Sequence, residues 1–326
     1  MAFCDTYGRK IEYVRLSITD KCNMRCTYCM PERHNSFIST SKYLSFAEIV
    51  RVIAAFADLG VSRVRLTGGE PLVRKGVDQL AHSLTDIPGI DDLSMSTNAV
   101  LLEDRAEAIF KAGVKRLNVS LDTLNPDRYR ALTRGGDLNV ILRGLRKARD
   151  LGFSPIKINM LVMKDVNDDE VLDLTAYCLE MGFALRFIET MPIGSSGQDA
   201  CKSFISLSHV RETLSQQFDL TPSVMSGGGP AQYFRIDDTN MHVGFITPLS
   251  QHFCETCNRV RLSADGTLHL CLGNSVNFEL RDHLRSGISD SDLKALLIEA
   301  MALKPKQHDF QHDTARIQRN MSVTGG

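Results

Sequence analysis

Six short strand-like runs in the first part of the chain alternate with stretches of helical periodicity. Strands are predicted over Tyr13–Ile18, Arg63–Thr67, Leu93–Ser96, Arg116–Leu121, Ile156–Val162 and Leu185–Glu189. The helix before the second strand has clear ends. Ser45 and Glu48 have the spacing of a capping box, Ile49, Val52, Ile53 and Phe56 form an apolar stripe, and Gly60 stops it. Six βα units with short loops imply an α/β fold, a parallel sheet with helices outside. After Met191 the alternation ends. A helical stretch carrying Leu207, Val210, Leu214 and Phe218 lies between Gly- and Ser-rich clusters, and short strands are predicted at Tyr233–Ile236, Val243–Ile246 and Val260–Leu262. A helix over Asp290–Leu303 follows, and Gln307–Gly326 reads as extended or mobile. The expected division is residues 1–225, the βα units, and residues 226–326, a smaller C-terminal region.

Parallel strands covered on both faces usually read as unbroken apolar runs, and an eight-stranded barrel fills its centre with branched aliphatic side chains. These strands alternate instead. Val14, Leu16 and Ile18 oppose Arg15 and Ser17; Val64 and Leu66 oppose Arg63, Arg65 and Thr67; Leu93 and Met95 oppose Ser94, Ser96 and Asn98. The pattern recurs in Leu117, Val119 and Leu121 against Asn118, Ser120 and Asp122, in Ile156, Ile158 and Met160 against Lys157 and Asn159, and in Leu185 and Phe187 against Arg186. For a single arginine, water at a strand end or pairing with Glu70, Asp122 or Glu189 would suffice. Repetition in six strands favours a shared polar interior that holds Arg15, Arg65 and Lys157, with Arg63 and Arg186 as further candidates. Buried cations require anionic partners, and phosphate suits Arg and Lys.

The charge count fits a local site. With 38 Lys and Arg against 39 Asp and Glu in 326 residues, the net charge of −1 excludes a basic coat for nucleic acid or anionic membrane. No run has the length of a membrane span, and the N-terminus lacks signal-peptide character, so a cytoplasmic location is expected. In that reducing compartment the nine cysteines do not suggest a disulfide framework. Six of them form two triplets: Cys22, Cys26 and Cys29 after the first strand, and Cys254, Cys257 and Cys271 in the C-terminal region. Three thiolates on a four-iron cluster leave one iron open for a ligand. Zinc competes for the second triplet, which His252 or His269 could complete as Cys3His. The tight spacing of the first triplet fits a cubane better than zinc. Cys178 reads as core, and Cys4 and Cys201 have no motif partner.

The segment Cys22-Asn23-Met24-Arg25-Cys26-Thr27-Tyr28-Cys29 resembles the radical S-adenosylmethionine enzymes. Arg15-Leu16-Ser17-Ile18-Thr19-Asp20, Arg65-Leu66-Thr67-Gly68-Gly69-Glu70-Pro71, Asn118-Val119-Ser120-Leu121-Asp122, Arg186-Phe187-Ile188-Glu189, Cys254-Glu255-Thr256-Cys257-Asn258-Arg259-Val260-Arg261 and the final Gly325-Gly326 narrow the likeness. Together they are similar to the GTP 3′,8-cyclase family, also called molybdenum cofactor biosynthesis protein A. The resemblance implies a partial (β/α)6 TIM-like barrel whose open side is capped by the C-terminal region. It implies two [4Fe-4S] clusters, on Cys22, Cys26 and Cys29 and on Cys254, Cys257 and Cys271. It also implies S-adenosylmethionine at Tyr28, Gly69, Ser120 and Met191, and GTP at Arg15, Arg65, Ser96, Lys157, Arg259, Val260 and Arg261. The expected chemistry is reductive cleavage to a 5′-deoxyadenosyl radical, abstraction of the C3′ hydrogen of GTP and attack of the ribose radical on guanine C8, giving 3′,8-cyclo-7,8-dihydro-GTP. The implied partners are an electron donor of reduced flavodoxin or ferredoxin type and a following pterin-forming enzyme, in a monomer or homodimer, with the Gly-Gly tail reaching toward the active site. Ser96-Thr97-Asn98-Ala99 departs from the family's common Thr-Thr-Asn-Gly: Ser96 keeps the hydroxyl, whereas Ala99 is costly if the backbone there has positive φ. Rival readings are another radical enzyme with an auxiliary cluster, such as a peptide-maturing one, and a zinc or redox binding protein.

Overall fold

In the computed structural model, which describes residues 3–310 and 317–325, the six predicted runs are strands. They are β1 (Tyr13–Ser17), β2 (Arg63–Thr67), β3 (Asp92–Thr97), β4 (Arg116–Ser120), β5 (Ile156–Leu161) and β6 (Ala184–Ile188). The C-terminal half adds β7 (Leu220–Ser223), β8 (Gln232–Ile236), β9 (His242–Ile246), β10 (Arg259–Leu262), β11 (Thr267–His269) and β12 (Asn277–Glu279). All belong to one 12-stranded sheet in the order β12-β11-β10-β1-β2-β3-β4-β5-β6-β9-β8-β7. From β10 through β1–β6 to β9 every pairing is parallel, and antiparallel strands finish each edge.

The C-terminal half thus continues the sheet from both edges. Strand β10 sits against β1 with Val14 opposite Val260 and Leu16 opposite Leu262, so its apolar face joins the existing one. Residues of β10 and of β9, far apart in strand order, line one cavity, which requires the sheet to curl. The result is an α/β partial TIM barrel.

The apolar strand faces meet the helices. Val14, Leu16, Val64, Leu66, Met95, Leu117, Val119, Ile158, Leu185 and Phe187 are fully buried in one cluster with Ile49, Val52, Ile53 and Phe56 of the helix Phe46–Asp58. Each such side chain contributes about 1.5–3 kcal/mol through removal from water. Both halves of the predicted capping box form: the Glu48 N–H donates to Ser45 Oγ, and the Ser45 N–H donates to the Glu48 carboxylate. No helix of the described residues is long and apolar enough to cross a membrane.

Within the last stretch, expected to be extended or mobile, one part is helical. Met321–Thr324 forms a helical turn that packs on β1, with Ser322 and Thr324 buried. A Cβ on Gly325 would lie 2.4 Å from the Thr67 side chain, so only glycine approaches the end of β2 this closely. Gly326 lies outside the described residues.

Candidate active site

Register turns alternation into rows across the polar face. Arg15 lies opposite Arg261 on one neighbouring strand and Arg65 on the other, and Arg65 lies opposite Ser94. Adjacent strands are about 4.8 Å apart, so three guanidinium side chains stand side by side. Arg65, Arg259 and Arg261 are 6–7% exposed. Burial, together with Arg261 and Arg65, pushes Arg15 well below the ordinary arginine range. Burial pushes Arg65 and Arg261 each down to about 10. The Nε atoms of Arg15, Arg259 and Arg261 are buried without a hydrogen-bond partner. The carboxylates that could have relieved these charges are occupied elsewhere. Glu70 accepts from Leu72 N–H, Thr97 Oγ1 and Asn98 N–H; Asp122 accepts from Tyr28 and Leu161 N–H; Glu189 accepts from Leu249 N–H and Ser250.

The row opens into a cavity of about 1020 Å³, its mouth included. Arg15, Arg65, Arg186, Arg259 and Arg261 line it, and among the described residues no Asp or Glu does. Met191 and all three cysteines of the second triplet share the same wall. Lys157 stands outside this lining: its ammonium donates to the Ser226 carbonyl at 2.9 Å and lies 3.3 Å from the Tyr233 hydroxyl. Burial, then Arg186, Arg116 and Arg65, push it down to about 7. Ser96 is half-buried with an unpartnered hydroxyl. Val260, on the opposite face of β10 from the arginines, is fully buried in the hydrophobic core.

The first triplet occupies the loop after β1, at the C-terminal end of the strands. Cys22, Cys26 and Cys29 are free and half-buried. Burial raises all three thiols, Cys29 to about 12, and each of the Cys26 and Cys29 thiols is raised further by its neighbours in the triplet. Met24 N–H and Asn98 Nδ2 point at Cys22 Sγ at 3.4 and 3.6 Å, and the Ser322 N–H points at Cys29. Donors aimed at sulfur suit thiolates bound to iron. Beside the triplet, the Tyr28 hydroxyl donates to Asp122 at 2.6 Å. Gly69 packs so closely that a Cβ would stand 2.2 Å from the Lys21 carbonyl oxygen. Ser120 is exposed at the end of β4.

In the second triplet burial raises Cys254 and Cys271 as well, and Cys257 differs. Burial alone would raise Cys257, but Lys304, Arg259 and Arg261 bring its thiol below the ordinary value. Of the histidines considered as a fourth ligand, His252 is exposed, and the buried nitrogens of His269 have no partner, its pKa pushed down to about 3 chiefly by burial. Neither lines the cavity, whereas His308 does. Among the described residues no three His, Cys, Asp or Glu side chains close around a single metal ion, whereas three cysteines on a cubane each take a different iron.

Residues 16–178 match the model of the Radical SAM superfamily, and residues 183–310 match the model called Molybdenum Cofactor Synthesis C. Over 324 residues the chain is 45% identical to the GTP 3′,8-cyclase of Pelotomaculum thermopropionicum, covering 99% of both chains. It is 46% identical over 327 residues to that of Saccharophagus degradans, covering 99% of this chain and 98% of the relative. The chain belongs to the GTP 3′,8-cyclase family. Among solved structures, Streptococcus suis SuiB bound to S-adenosylmethionine superimposes with a TM-score of 0.61 at 14% identity, over 83% of this chain and 64% of SuiB, a likeness of fold. Membership in the radical S-adenosylmethionine superfamily brings that cofactor and a [4Fe-4S] cluster.

Where the cyclase family commonly has Thr-Thr-Asn-Gly, this chain holds Ala99 at φ +63°, fully buried. The positive φ costs a Cβ-bearing residue about 1–2 kcal/mol. Burial of the methyl group returns about 0.8 kcal/mol of it. Several cavity residues carried no sequence signal of their own, among them Tyr13, Phe253, His308 and the Gly229-Pro230 pair. Arg186 was visible both in the strand alternation and in the Arg186-Phe187-Ile188-Glu189 motif, and Asn159 in the alternation alone.

Proposed function

We propose that this chain converts GTP to 3′,8-cyclo-7,8-dihydro-GTP, an early step of molybdenum cofactor biosynthesis, and that the two ends of its interior divide the work. The observation that carries this reading is one cavity lined, among the described residues, by five arginines, no carboxylate and the second thiol triplet. An anionic nucleotide supplies the partner that the row Arg261–Arg15–Arg65 lacks, and Arg259, Lys157 and Ser96 extend the same polar face. Val260 contributes through its backbone, since its side chain is in the core. The S-adenosylmethionine end is built by Tyr28, Gly69, Ser120 and Met191. Tyr28 is oriented by Asp122, and Gly69 lets two backbones meet where any side chain would collide. Cys22, Cys26 and Cys29 would hold the first [4Fe-4S] cluster, and Cys254, Cys257 and Cys271 a second one that leaves an iron for the substrate. When bound, the first cluster and S-adenosylmethionine supply the organic radical that starts the cyclisation. The residues around them orient the ribose and exclude water, which is what positioning contributes to a cofactor reaction.

In this reading residues 1–225 form the radical-generating barrel and residues 226–326 carry the second cluster and the Gly-Gly tail. The enzyme works in the cytoplasm as a monomer or homodimer, draws its electron from a reduced flavodoxin or ferredoxin type donor, and passes its product to a pterin-forming enzyme. The anaerobically reconstituted, reduced protein is expected to consume GTP and S-adenosylmethionine together. Abundant 5′-deoxyadenosine whose formation GTP does not affect would refute GTP as the substrate.

A further inference from the structure

Three cations from distant parts of the chain converge on the backbone that carries the second triplet. Arg9, whose Nε is held by Asp5, donates from Nη1 to the Cys254 carbonyl at 2.9 Å. Lys304 is 2% exposed, and its ammonium donates to the carbonyl of Arg259 at 3.0 Å and to that of Leu270. Arg319 donates from Nη2 to the carbonyls of Cys271 at 3.2 Å and Asn274 at 3.0 Å, and to that of Leu272 between them. Every segment bearing a cysteine of the triplet is therefore gripped, through its own carbonyl or one at most two residues away.

Carbonyl oxygens satisfy hydrogen bonds but do not neutralise charge. A buried ammonium with only carbonyl partners is costly unless an anion lies nearby. The carbonyls that hold Lys304 belong to Arg259 and Leu270, two residues from Cys257 and one from Cys271, and Arg9 is held by the carbonyl of Cys254 itself. Arg9 already has the Asp5 carboxylate, whereas for Lys304 thiolates at Cys257 and Cys271 would supply the negative charge that its carbonyl partners do not.

We infer that Arg9, Lys304 and Arg319 are positioning residues for the second iron–sulfur site, locking the backbone of its three ligands and placing positive charge behind the thiolates. The inference rests on the reading of Cys254, Cys257 and Cys271 as cluster ligands. Positive charge favours the reduced, more negative form of a cluster, so its removal lowers the reduction potential.

The test uses the full chain carrying Cys22→Ala, Cys26→Ala and Cys29→Ala, in which reconstituted iron reports the second site alone. This parent is expected to hold about four irons; a parent that binds none overturns the cluster reading itself, and the clamp falls with it. Added to an iron-loaded parent, Lys304→Met is expected to shift the one-electron reduction equilibrium at least tenfold toward the oxidised form, about 59 mV, with Lys304→Arg restoring it. Arg319→Gln, at a half-buried position, is expected to release iron to a chelator at least tenfold faster. If Lys304→Met does not fold, the potential and chelation rate of Arg319→Gln decide. Parent-like potential and iron release in the folded variants, even with a lowered melting temperature, would overturn the inference.

Discussion

Replacing Gly69 by Ala tests whether the approach of two loops sets the geometry of the first triplet. A Cβ there would stand 2.2 Å from the Lys21 oxygen, 2.5 Å from the Lys21 carbonyl carbon and 2.7 Å from the Asp20 oxygen. Carbon–oxygen contacts normally begin near ~3.3 Å, so one backbone must move by about 1 Å. Neither is free to do so, because the Gly69 N–H donates to the Thr19 carbonyl at 2.6 Å and the Glu70 N–H to the Lys21 carbonyl at 2.9 Å. The displacement therefore falls on Lys21, whose next residue is Cys22. Overpacking of this size costs about 1–3 kcal/mol, which a domain this large survives. Misplacement by about 1 Å at a reacting centre costs on the order of 100-fold in rate. Single-turnover 5′-deoxyadenosine formation in Gly69→Ala should fall by about that factor, while thermal unfolding still shows a folded protein. A variant with full iron content and a rate within about threefold of the parent would show that this contact does not position the site.

The remaining predictions concern the cations and the two triplets. Because Lys157 is pushed down to about 7, its charge is present below that pH and lost above it. Affinity for GTP should weaken as pH rises from about 7 to 9, by up to about tenfold per unit, and Lys157→Met should remove the dependence; a flat parent profile in equilibrium binding would contradict this. Arg65→Met removes a buried cation without a carboxylate, so the ligand-free fold should gain about 1–4 kcal/mol, while GTP affinity drops by about 30-fold or more. A loss of both, read by thermal unfolding and nucleotide titration, would mean that Ser94 and the Tyr13 ring already compensate the Arg65 charge. Cys26→Ala should abolish 5′-deoxyadenosine formation, whereas Cys271→Ala should retain uncoupled cleavage and lose GTP turnover. Full turnover by the Cys271 variant, measured by product chromatography, would remove the second triplet from the reaction.

Much of the barrel was legible because its signals are local. Strand alternation has a period of two residues, and the capping box spans four, so Val14–Ser17 or Ser45–Glu48 can be read without knowing what lies across from them. The departure at Ala99 was legible only as a condition: its cost depended on a backbone angle that the structure places at +63°. The helical turn at Met321–Thr324 was not legible in a stretch that reads as extended or mobile, because it has little periodicity of its own and is held by contact with β1. Lys304 carried no motif, since its role rests on carbonyls 34 and 45 residues away.

The sequence by itself determined which side chains share a strand face and that Cys22, Cys26 and Cys29 lie close together, because covalent geometry sets both over a few residues. Only the tertiary structure decided that Arg261 stands beside Arg15 and Arg65, since β10 and β1 are joined by packing and register across most of the chain's length. The same long-range packing brought Cys271 to Cys254 and Cys257 in one wall and left the carboxylates tied elsewhere. An unneutralised charge is a property of surroundings, and surroundings exist only after folding.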